Sequence, residues 1–74
     1  MHEVTSHSVY TYPEEIIVEL RGQTADGEFT AISYQFEPTS PESKQVQPRE
    51  SVDDVHKDVV REALAESDYE LVSP

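Results

Sequence analysis

The chain has 74 residues, of which sixteen are Asp or Glu and only five are Lys or Arg, giving a formal charge of −11. A surface of that sign repels nucleic acid and anionic membranes and draws basic partners. With no cysteine there are no disulfides, and the longest apolar run, Ile16-Ile17-Val18, is far short of a membrane span.

The length predicts one domain over residues 1–74 with a modest core. No basic-then-apolar segment opens the chain, so a signal peptide is not expected and the cytoplasm is the expected compartment. The first eight residues read as a flexible arm or as the start of an edge strand. His7-Ser8-Val9-Tyr10-Thr11-Tyr12 has strand composition, with Ser8, Tyr10 and Tyr12 on one side and His7, Val9 and Thr11 on the other. Pro13 then forces a bend or an edge.

Residues 16–20 and 29–36 predict a β-hairpin. Asp26-Gly27 between them is a turn signal, and a loop of Ala25, Asp26 and Gly27 sets Thr24 against Glu28. The register then pairs Leu20 with Ile32, Val18 with Tyr34 and Ile16 with Phe36 on one face. Arg21 with Ala31, Glu19 with Ser33 and Ile17 with Gln35 lie on the other. A slip of one residue would destroy that segregation. Thr11-Tyr12-Pro13-Glu14 also resembles a helix capping box, but the β-branched run and the clean pairing favour a strand.

Residues 37–50, with three prolines and few apolar side chains, predict a connecting loop without a core element. Thr39-Ser40-Pro41 within it has the composition of a phosphorylation site. A helix is predicted next, with Ser51 as N-cap and Asp54 completing an approximate capping box. Val52, Val55, Val59, Val60, Ala63 and Leu64 share its apolar face, and it fades near Ser67. His56 falls between Val52 and Val60, within that face; it reads as a half-buried histidine at the helix–sheet boundary, with a pH sensor or a binding contact as the alternative. Tyr69-Glu70-Leu71-Val72 alternates as a final short strand. The sum is an α+β fold: a small antiparallel sheet, built from the hairpin and two terminal strands, packed against one helix.

Chemistry-bearing patterns are sparse. Gly22 and Gly27 are the only glycines, so no phosphate-cradling loop exists, and no Ser sits in a nucleophile elbow. His2, Glu3 and His7 match a zinc ligand set by type, but their spacing fits no structural zinc pattern. No enzymatic activity, metal or other cofactor is expected. What stands out is a row of carboxylates, Asp54, Asp58, Glu62 and Glu66, recurring every four residues. Like charges at that spacing cost a helix a few tenths of a kcal/mol each, so the row contributes nothing locally. Lys57 and Arg61 lie within reach as partial neutralisers.

The row predicts a docking surface for a Lys/Arg-rich partner, with Tyr10 and Tyr12 as apolar anchors. By size and charge alone, the expectation is a small acidic inhibitor or adaptor, of the kind phages use on host polymerases, nucleases or defence systems in the host cytoplasm. Its partner would be a basic protein surface, with no direct contact to nucleic acid or membrane. Two alternatives stand beside it: a halophile-type domain whose acidity serves solubility, and a structural homodimer formed through sheet edges.

Overall fold

In a computed structural model that describes residues 3–72, five strands form one curled sheet in the order β1-β2-β3-β4-β5. They are β1 (Glu3–Tyr12), β2 (Glu15–Gln23), β3 (Phe29–Pro38), β4 (Gln45–Pro48) and β5 (Glu70–Leu71). A single 3-10 turn, Asp54–His56, leads into the helix α1 (Lys57–Glu66). The fold is α+β.

The central hairpin has the register its alternation dictates. Ile16 faces Phe36, Val18 faces Tyr34 and Leu20 faces Ile32, while Arg21, Glu19 and Ile17 face Ala31, Ser33 and Gln35. The loop closes through the Thr24 backbone N–H, which donates to the Glu28 carbonyl at 2.9 Å. Gly27 sits there at φ +84°, a conformation that side chains disfavour. Even-numbered β2 residues are buried and odd-numbered ones half-buried, as expected of a sheet covered on one face only.

β1 is a full strand, antiparallel to β2 from Glu3 to Tyr12, with a bulge between Val4 and Ser6. Residues 3–8 are therefore paired apart from Thr5 at the bulge; residues 1 and 2 of the expected arm lie outside the described residues. His7, Val9 and Thr11 face Leu20, Val18 and Ile16, and Ser8, Tyr10 and Tyr12 face Glu19, Ile17 and Glu15.

Three expectations are corrected. First, the sheet is mixed. β5 pairs parallel to β4, Gln45 with Glu70 and Val46 with Leu71. The connection between them runs through α1, which returns the chain to the direction of β4 where a hairpin would have reversed it. Second, the segment 37–50 is not a plain loop. β3 runs on to Pro38, and β4 pairs Val46 with Pro38 and Pro48 with Phe36. Val46 is wholly buried. One inward valine between two outward glutamines is enough for a strand when a neighbouring edge and the helix supply the rest of the core.

Third, Ser51 does not cap the helix. Residues 51–53 are irregular, and the first turn is wound as 3-10, at about 120° per residue instead of 100°. That tighter winding leaves Val55 80% exposed and places His56 inside the core, 3% exposed.

The core is the inner face of the sheet against one side of α1. Ile16, Val18, Leu20, Phe36, Val46, Val60 and Leu64 are its fully buried large side chains. Each contributes roughly 1.5–3 kcal/mol relative to an exposed position. The helix approaches β1, β2 and β5 and leaves the outer face of the sheet bare. It ends in a Schellman arrangement: the Tyr69 N–H donates to the Leu64 carbonyl at 2.9 Å and the Asp68 N–H to the Ala65 carbonyl at 3.0 Å. Asp68 takes the left-handed position of that motif at φ 65°.

Candidate functional site

Asp54 of the acidic row lies in the 3-10 turn, and Asp58, Glu62 and Glu66 lie on the solvent side of α1. Val60, Ala63 and Leu64 set the buried side, and Asp58 stands nearly opposite them, its side chain fully exposed. Steps of four residues advance about 40° around an α-helix, so Glu62 and Glu66 drift from that outermost position toward one flank. The flank they reach faces β1, where Glu66 Oε2 lies 2.9 Å from His7 Nε2. Lys57 and Arg61 occupy the opposite flank.

The row is partly matched by the chain's own cations. Asp54 lies 3.0 Å from Lys57 Nζ and Asp58 3.8 Å from an Arg61 nitrogen, both as i,i+3 pairs. Both are solvent-exposed pairs, worth little and open to exchange with a partner's cation. Glu62 has no cation within ion-pair distance among the described residues. Two further acidic side chains, Asp68 and Glu70, are exposed just beyond the helix.

Tyr10 and Tyr12 stand on the bare outer face of the sheet, 43% and 52% exposed. Tyr10 is paired across the strands with the half-buried Ile17. The sheet itself therefore separates the tyrosines from the carboxylate row, and the edge of β1 is the boundary the two share. Phe29, 86% exposed, belongs to the same outer face at its far end.

Arg21 of β2 and Arg49, just past β4, are engaged within the molecule. On the outer face Arg21 donates to Ser6 Oγ at 3.1 Å and Ser8 Oγ at 2.8 Å and pairs with Glu19. Arg49 approaches Glu37 at 3.5 Å and Glu15 at 3.9 Å. Neither cluster was legible without the β1–β2 and β3–β4 registers.

A shallow groove of about 600 Å³ lies between the β1–β2 turn and the β3–β4 loop, walled by Pro13, Pro38 and Pro41 and rimmed by Glu14, Glu42 and Arg49. Thr39 and Ser40 are the hydroxyl-bearing residues of its lining, beside the carboxylates of Glu14, Glu37 and Glu42. Next to it, the Lys44 ammonium sits 4.8 Å above the Tyr69 ring.

His56 is held inside the core by Tyr34. Their Oη and Nδ1 atoms are 2.7 Å apart and the rings meet edge to face. Burial pushes the Tyr34 hydroxyl above the ordinary tyrosine range; the nearby Asp53 backbone pulls the other way, and the Asp53 charge raises it again. His56 Nε2 is buried and has no hydrogen-bond partner among the described residues. Of the ligand set His2, Glu3 and His7, His2 lies outside the described residues and His7 is bound to Glu66. Among the described residues no group of three or more His, Cys, Asp or Glu could hold a metal ion, and no helix is long and apolar enough to cross a membrane.

No family model, curated protein or solved structure matches the chain.

Proposed function

We propose that this is a non-enzymatic binding module: an acidic inhibitor or adaptor that docks on a basic protein surface, of the kind found on polymerases, nucleases and similar assemblies. The observation that carries the reading is the exposed carboxylate line of α1. Asp58 points straight away from the core, and Glu62 has no cation within ion-pair distance among the described residues. A helix gains nothing from such a line by itself. At a net charge of −11 the field extends beyond the surface and steers cationic partners over roughly a Debye length, about 10 Å at 0.1 M salt.

Capture of partners at low and high salt, followed by charge reversal, tests this. Binding should weaken by at least about tenfold when salt rises from roughly 0.05 to 0.5 M. The triple change Asp58→Lys, Glu62→Lys and Glu66→Lys should abolish it while thermal unfolding stays cooperative. Salt-insensitive binding, or full binding by the triple variant, would count against the reading.

A second reading has its own observation. Exposed carboxylates also populate other parts of the surface, at Glu3, Glu14, Asp26, Glu28, Glu42 and Glu50, and Lys44 and Lys57 are the only lysines. That spread supports acidity as an adaptation to concentrated salt. Unfolding in dilute buffer with recovery in molar salt would favour it.

A further inference from the structure

We infer that the partner docks by adding an extended segment to the open edge of β1, with basic side chains toward α1 and apolar ones toward Tyr10 and Tyr12. This rests on the binding reading above and specifies its site.

β1 is terminal in the sheet and, among the described residues, pairs with β2 alone. Its other side presents unpaired backbone groups, a template for one more strand. Sheet edges are commonly guarded by charged side chains. This one is not: residues 4–13 contain no Asp, Glu, Lys or Arg, and no other stretch of the chain runs as long without a carboxylate. The bulge after Val4 and Pro13 guard only its ends.

The two sides of this edge differ in chemistry. On the helix side stand His7 and Val9, with Glu66 bound to His7 and Glu62 one turn back on the same flank. On the other side stand Tyr10 and Tyr12, half exposed. Side chains of an added strand alternate between those sides. A segment with Lys or Arg at every second position and apolar residues between satisfies both: its cations meet Glu62 and Glu66, and its apolar side chains lie on the tyrosine rings. The edge thereby unites the acidic and aromatic residues that the sheet otherwise separates. A second copy fits less well. Laid antiparallel along β1, it continues the sheet with its helix on the same face and brings its own Glu62 and Glu66 to a seam between two molecules of charge −11.

Two synthetic peptides test the inference on the full chain: one alternating Lys and Val, the other with the same residues in two blocks. The alternating peptide should bind at least about tenfold more tightly. It should slow hydrogen exchange at amides of residues 6–12 and lose its advantage with Tyr10→Ser and Tyr12→Ser. Equal binding of both peptides without protection of β1 overturns the edge assignment and leaves the acidic-module reading standing. Binding of neither peptide overturns the edge assignment, and charge-reversed capture then judges the module reading separately. Dimerisation of the protein alone, with the same amides protected, assigns the edge to a second copy and overturns the inference.

Discussion

The Tyr34 hydroxyl and His56 Nδ1 lie 2.7 Å apart inside an otherwise apolar core, joining the third strand to the entry of the helix. Removing the hydroxyl strands a second imidazole nitrogen, since Nε2 already has no partner among the described residues. Tyr34→Phe should cost about 1–3 kcal/mol in urea unfolding, the penalty of an unsatisfied buried polar atom. Tyr34→Phe combined with His56→Leu should cost less than the two single changes summed. Additive single and double changes would deny the coupling.

The same hydroxyl should make the fold lose stability at alkaline pH. Its folded-state pKa is raised above the ordinary 10.0, chiefly by burial. Above that ordinary value the unfolded chain releases the phenolic proton while the folded chain retains it. The unfolded state then binds fewer protons, so stability falls as pH rises. The contribution is intact below about pH 10 and is lost as pH climbs through the folded value. Thermal melts between about pH 9 and 12 should show a steeper decline for the wild type than for Tyr34→Phe. Parallel declines would show that Tyr34 does not titrate differently in the two states.

Asp68 occupies a left-handed position, φ 65°, just past the C-terminus of α1. Glycine is the usual residue there, and a negative charge opposes the helix dipole at that end. Asp68→Gly should stabilise the fold by about 0.5–1.5 kcal/mol, read from the denaturation midpoint. Loss of stability would show that the Asp68 side chain makes a compensating interaction.

Val46 is the test of β4. It is fully buried though flanked by Gln45 and Gln47 and followed by Pro48. Val46→Ala should cost about 1–3 kcal/mol, and the amides of β4 should exchange slowly. A neutral substitution with fast exchange across residues 45–48 would return this segment to a loop.

The contrast between these elements explains what could be read in advance. The β2–β3 register was legible because Asp26-Gly27 marks the turn and each strand segregates its apolar residues onto one face. Local periodicity also placed Tyr10 and Tyr12 on the opposite side from Val9. β4 was not legible, because a lone Val46 has no period and its strand identity comes from β3 on one side and Leu71 on the other. His56 was misplaced as half-buried because a 3-10 first turn rotates the helix face and nothing local announces it. The acidic spacing was plain in the sequence. Its separation from the tyrosines was not, since that depends on which face of the sheet the helix covers.

The central claim is that the carboxylates of α1 recognise a cationic protein surface. Its most direct measurement is the association constant of the captured partner against ionic strength, for the wild type and for Asp58→Lys/Glu62→Lys/Glu66→Lys. The account predicts a steep fall with salt for the wild type and no measurable binding for the variant. Equal affinities with the same salt dependence in both proteins would contradict it.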